Sequence, residues 1–124
     1  MNKNHLNKNE ETVMGILWKL EKAFLKEIVQ EFPEPKLPST TIASIIKKLE
    51  SNELVSHETF NKSHQYYPLL KKDQYKHVEL KSMLGTYFNS SLSEMVSFFM
   101  QKEDTNLEEL EKIYQQIKDK NNSR

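Results

Sequence analysis

The sequence predicts a mainly α-helical protein with a small β-wing: a winged helix-turn-helix domain followed by a three-helix dimerisation region. Three observations carry this. Leu37–Leu70 contains an amphipathic helix followed by two strand-like runs around a polar tip. Two apolar stripes of helical period stand before it. Three more stand after it, with more large apolar side chains than short helices can readily cover.

The elements follow in chain order. Met1 to Lys8 is polar and reads as a loose arm. Val13, Ile16, Leu17 and Leu20 recur at i, i+3, i+4 and i+7, the mark of one buried helix face, and predict a first helix over Asn7–Leu20. Gly15 costs helix stability there, which points to close packing against a neighbour. Leu25, Ile28, Val29 and Phe32 repeat the stripe for a second helix that stops before Pro33. Pro33, Pro35 and Pro38 make Phe32–Leu37 an extended connector, because proline lacks an N–H and restricts the residue before it. Ser39 or Thr40 is placed to cap a third helix. Its inner face is Ile42, Ile45, Ile46 and Leu49. Its outer face carries Thr40, Ser44, Lys47 and Ser51, flanked by Ala43 and Lys48.

Leu54–Glu58 and His64–Tyr67 read as the strands of a hairpin with a tip over Thr59–Ser63, which packs through Leu54, Val55, Tyr66 and Leu69. Leu80, Met83, Leu84, Tyr87 and Phe88 mark a fourth helix over Lys72–Asn89. Ser91 and Glu94 have capping-box spacing before Leu92, Met95, Val96 and Phe99 in a fifth. Thr105 and Glu108 repeat it before Leu110, Ile113, Tyr114 and Ile117 in a sixth, and Asp119–Arg124 reads as a frayed tail. Residues 1–71 thus form a candidate DNA-binding domain and residues 72–124 a helical dimerisation region.

A small hydroxyl-and-amine helix face followed by a hairpin is how winged helices hold DNA. The candidate DNA contacts are Thr40, Thr41, Ser44, Lys47 and Lys48, with Lys62 at the wing tip. The candidate dimer surface is Leu84, Phe88, Leu92, Met95, Val96, Phe99, Leu110, Ile113, Tyr114 and Ile117. A two-fold dimer doubles a weak set of contacts and suits an inverted repeat.

Composition narrows the field. With 124 residues and no cysteine, disulfides, thiolate metal sites and thiol nucleophiles are excluded. No apolar run approaches a membrane span and the start lacks a signal-peptide core, so a cytoplasmic protein is expected. The 18 basic and 18 acidic residues cancel. They do not cancel evenly: residues 1–81 hold 13 basic and 11 acidic residues, and residues 82–124 hold 5 and 7. Gly15 and Gly85 both fall in helices, which leaves no phosphate-cradling loop, and no serine sits in a nucleophile elbow. No enzyme, cofactor or metal site is expected. His5, His57, His64 and His77 lack paired metal spacing. His57 and His64 can face each other across the wing, where a phosphate contact competes with a plain surface role.

The chain resembles the penicillinase-repressor family, also named for its BlaI, MecI and CopY members, over residues 6–118. The residues that carry the likeness are Glu10, Val13, Met14, Leu17 and Trp18, then Lys26-Glu27-Ile28, Thr41-Ile42, Leu49 and Tyr66-Tyr67-Pro68. They continue with Met95-Val96-Ser97-Phe98-Phe99 and Leu107-Glu108-Glu109-Leu110. LWKLEKAFLKEI and the H-x-Y-Y-P wing look most like the branch found in the Bacteroides group.

The resemblance implies a homodimeric repressor that binds a double-stranded DNA operator. It also implies release through a membrane-bound sensor-protease. Related repressors are cut at an Asn-Phe bond in helix five, and the aligned pair here is Phe98-Phe99. Lys48-Leu49, Ala43 and Asn52-Glu53 stand where the family often has Arg-Leu, a base-reading Arg and Lys-Gly. The operator sequence therefore does not carry over, because Lys lacks the bidentate fork of Arg. The alternative is a helical protein-interaction module that kept the fold and lost DNA binding.

Overall fold

The computed structural model describes residues 5–102 and 107–122. The elements are α1 (Lys8–Leu20), β1 (Ala23–Phe24), α2 (Leu25–Glu31), α3 (Ser39–Ser51), β2 (Val55–Phe60), β3 (Ser63–Pro68), α4 (Lys72–Tyr87), α5 (Leu92–Lys102) and α6 (Leu107–Asn122). They form two compact units, Met1–Leu80 and Lys81–Arg124, and the division falls inside α4.

The first unit is a winged helix. α1 starts at Asn7, whose side chain accepts the Glu10 N–H at 2.8 Å while the Glu10 carboxylate accepts the Asn7 N–H at 2.9 Å. This reciprocal box holds two N–H groups that the helix leaves without partners. Leu6, just before the cap, is buried, so the expected loose arm is tied to the core from that residue on. Val13, Met14 and Leu17 of α1 meet Ile28 of α2 and Ile42, Ile46 and Leu49 of α3 in one cluster. These are the apolar stripes of the sequence, and their burial is what fixes the three helices on one another.

Gly15 does not serve close packing. It is exposed, and a methyl group there would meet nothing within 4 Å. Gly15→Ala should therefore stabilise the protein by about 1 kcal/mol, since only the entropy of a flexible backbone is lost. Thermal unfolding should show a rise in Tm, and a fall would mean that the position is crowded.

Neither Ser39 nor Thr40 caps α3. The N-cap is Pro38, with no side-chain bond, and its carbonyl accepts the N–H groups of Thr41 at 3.0 Å and Ile42 at 3.1 Å. The helix thus starts at Ser39 with its first N–H groups held by a backbone carbonyl rather than by a side chain. The far end of α3 closes with the Leu54 N–H on the Leu49 carbonyl and the Glu53 N–H on that of Glu50, both at 3.0 Å. This paired closure needs a left-handed residue, and Glu53 supplies it at φ 63°.

The sheet is antiparallel in the order β1-β3-β2. β1 pairs Ala23 with Tyr66 and Phe24 with Gln65, an element too short to leave an alternation in the sequence. Leu54 and Val55 are buried as expected, but Leu69 is exposed and Leu70 takes its place. The reason is a kink after Pro68: the N–H groups of Leu69 and Leu70 both donate to the Leu54 carbonyl, which breaks the two-residue alternation.

Leu70 also accepts the Trp18 indole N–H at 2.8 Å. Tyr75 in the first turn of α4 lies 5.6 Å from the Trp18 ring and donates its hydroxyl to Glu11 at 2.5 Å. Burial, then the Glu11 carboxylate, push the Tyr75 phenol well above its ordinary range. It therefore stays neutral and donating.

In the second unit, Ser91 accepts the Glu94 N–H at 3.1 Å, and α5 follows. The expected box from Thr105 to Glu108 lies partly outside the described residues. α6 runs to Asn122 rather than fraying at Asp119, whose carboxylate accepts from Gln115 at 3.0 Å.

Candidate nucleic-acid interface

The burial of Ile42, Ile46 and Leu49 dictates which side chains α3 can offer. Thr40, Thr41, Ser44, Lys47 and Lys48 are all exposed. They are not equivalent. Lys48 leans toward α1, where its ammonium stands 3.5 Å from Glu10, a residue that is only 6% exposed. Glu10 thus serves the α1 cap with one oxygen and Lys48 with the other. Part of the charge that Lys48 could offer to a phosphate is already answered within the protein. Lys47 forms no ion pair among the described residues.

The sixth candidate sits on the wing. Phe60 pairs with Ser63, so only Asn61 and Lys62 make the turn. Both hold positive φ, 48° and 73°. A two-residue hairpin that matches the strand twist requires this, and Asn followed by Gly is its preferred sequence. Lys in the left-handed region costs roughly 1–2 kcal/mol relative to glycine. The wing therefore carries an ammonium at its tip in a backbone setting that disfavours it, a kind of residue that gathers at functional sites. Phe60 lies beside it, 47% exposed and edge-on to Phe24 at 6.3 Å.

Between helix and wing stands a cluster the sequence only partly announced. Strand register puts His57 opposite Tyr66 and Thr59 opposite His64. The two histidines are diagonal neighbours on one face, with ring centroids 4.0 Å apart. The Glu50 carboxylate, in the last turn of α3, bonds His57 Nδ1. Burial, then the Glu50 charge, push the Tyr66 phenol upward. Nothing local in the sequence joins Glu50 to His57 or Glu10 to Lys48. The N-x-x-E spacing of Asn7 and Glu10 was the available signal that Glu10 has a structural role.

The second unit presents the other candidate surface. Leu84, Phe88, Met95, Val96 and Leu110 are half-buried, whereas Leu92, Phe99, Ile113, Tyr114 and Ile117 remain exposed. Phe99 and Ile113 line a groove of about 290 Å³ between α5 and α6, together with Met95 and Leu110. The candidate cleavage pair divides between two sides of α5. Phe98 packs on Phe88 at 5.8 Å, while Phe99 lines the α5–α6 groove. Among the described residues, no cluster of three or more His, Asp or Glu side chains could hold a metal ion. No helix among them is long and apolar enough to cross a membrane.

The chain is 28% identical to the methicillin resistance regulatory protein MecI of Staphylococcus aureus (strain N315) over 102 residues, which cover 82% of this chain and 83% of the relative. It is 24% identical to the penicillinase repressor of Bacillus licheniformis over 111 residues, 89% of this chain and 87% of that one. The penicillinase repressor of Staphylococcus aureus is 26% identical over 102 residues, 82% and 81% of the two chains. The model of the penicillinase repressor family matches residues 6–119. With its winged helix and a match over nearly the whole length, the chain belongs to the penicillinase-repressor family, a family of regulators rather than enzymes.

Proposed function

We propose that the protein is a cytoplasmic, DNA-binding transcriptional repressor that acts as a homodimer on an inverted-repeat operator. Residues 1–71 bind DNA and residues 72–124 dimerise. α3 enters the major groove with Thr40, Thr41, Ser44 and Lys47, while Lys48 and Lys62 reach the backbone from either side. The observation that carries this reading is the exposed polar face of α3 beside a hairpin whose tip holds Lys62 in a left-handed turn. The exposed apolar side chains of α5 and α6 support the dimer, because uncovered apolar area of this kind marks an interaction surface. The relatives named for penicillinase repression and methicillin resistance support the regulatory role.

Release is proposed to follow a signal from a membrane-bound sensor-protease, with the cut near Phe98-Phe99. Mass spectrometry of the protein from induced cells would locate the fragment ends. Intact protein under full induction would assign release to another route.

Hydroxyls and amines hold phosphates readily and read bases modestly. Each lysine that neutralises one phosphate contributes about −0.9 to the slope of log K against log salt. Lys62→Ala removes two such contacts from a dimer, so the slope should become shallower by roughly two with sequence preference unchanged. Ser44→Ala should leave the slope alone and lose on the order of 1 kcal/mol of discrimination per half-site. Binding is to be measured at several salt concentrations, on the promoter of the protein's own gene and on scrambled duplex. Equal, weak binding to both would replace the repressor by a helical protein-interaction module.

A further inference from the structure

Two imidazoles stand where α3 meets the wing, and the contacts proposed above leave them unused. Glu50 follows Lys47 by three residues, which puts both on one side of α3. Glu50 bonds His57 Nδ1, His57 touches His64 at 4.0 Å, and the strand that carries His64 begins next to Lys62. A phosphate backbone that runs from Lys47 to Lys62 therefore passes Glu50 and the two rings. His57 is partly open to solvent, with 30% of its side chain accessible, and His64 is exposed.

The chemistry of this crossing depends on a proton. The groups that face the rings are Glu50 from α3 and Tyr66 from β3. Lys26 and Glu27, at the start of α2, share a groove with His64. Glu58 alternates to the opposite face of β2. Neutral His57 places its single N–H toward Glu50, so Nε2 carries a bare lone pair. That lone pair and the Glu50 charge both repel a phosphate oxygen. A proton on Nε2 reverses this: the Glu50–His57 pair becomes neutral overall and Nε2–H becomes a donor. His64, bonded through Nδ1 to the Thr59 hydroxyl at 3.2 Å, offers its own Nε2 alongside.

We infer that His57 and His64, with Glu50 behind them, form a phosphodiester-binding site that takes up a proton as it binds. This rests on the DNA-binding reading above. Imidazoles ordinarily titrate between about pH 5 and 8. The protonated form is the one that binds, so affinity is greatest at the low end of that range and is lost as pH rises through it. The loss approaches tenfold per pH unit for each proton taken up.

The test is the affinity of the full-length protein for a short mixed-sequence duplex at fixed salt, between about pH 5.5 and 8. Circular dichroism at each pH verifies the fold. The wild type should weaken at least tenfold across the range. His57→Gln should flatten the profile. Glu50→Gln should bind more tightly than wild type at the alkaline end, a gain that no loss of folding can imitate. Lys62→Ala should be weaker throughout and keep the profile. Salt-sensitive binding that ignores pH, or a His57→Gln profile like the wild type, would overturn the imidazole site and leave the repressor standing. Failure to bind any duplex at any pH would remove the repressor reading itself.

Discussion

Ile113→Asp is expected to convert the protein into a monomer and to weaken operator binding by roughly 10²- to 10⁴-fold, the range by which linking two binding events exceeds one. Ile113 is 48% exposed in the single chain, so a carboxylate there can reach water while the protein stays monomeric. In a dimer built on α5 and α6 the same carboxylate is buried without a partner, in both copies. A buried unpaired charge costs several kcal/mol. Sedimentation should fall from twice the 14.7 kDa chain mass to that mass itself, with helical content kept. A wild-type protein that sediments as a monomer would remove the dimer, and a variant that remains dimeric would place the interface elsewhere. Leu110→Asp is the less discriminating choice, because Leu110 is half-buried within its own unit.

Trp18→Ala is expected to cost about 3 kcal/mol of stability, the low end of the range for a large aromatic side chain, because Trp18 is half-buried at the edge of the core. Domains of this kind have about 5–15 kcal/mol in total, so the variant loses a large share of that margin and its unfolding midpoint should fall clearly. Trp18 packs on the core of the first unit, stacks near Tyr75 and donates to the Leu70 carbonyl. It ties the end of the wing and the start of α4 to α1. Trp18→Phe keeps most of the packing and loses only the hydrogen bond, which should cost on the order of 1 kcal/mol. Urea titrations followed by circular dichroism would separate the two. Equal midpoints for Trp18→Ala and the wild type would show that the indole is not part of the load.

The three-helix core was legible because its signal is local. Val13, Leu17, Ile28, Ile42, Ile46 and Leu49 recur at helical spacing, and burial of one stripe forces the opposite face of α3 outward. What escaped the sequence is what joins residues far apart. Lys48 reads as an outward cation until Glu10 arrives from another helix. Ala23 and Phe24 become a strand only because β3 lies beside them. Leu69 and Leu70 exchange roles through one kink. The apolar residues of α5 and α6 were equally legible as stripes. A stripe shows that something must cover it and does not name the cover, which is why that surface enters as a proposal.

The division of α4 determines how halves of related molecules can be recombined. Tyr75 holds Glu11, and Glu79 stands 3.7 Å from His5, so the first turns of this helix belong with the winged helix. A chimera spliced before Lys72 would discard them and bare one face of Trp18. A chimera spliced after Leu80 would carry them along. The splice must also keep phase. One residue added to or dropped from a continuous helix turns everything beyond it by about 100° and shifts it by about 1.5 Å. One residue gained between Lys72 and Tyr75 would therefore carry the Tyr75 hydroxyl away from Glu11 and undo the tie between this helix and α1.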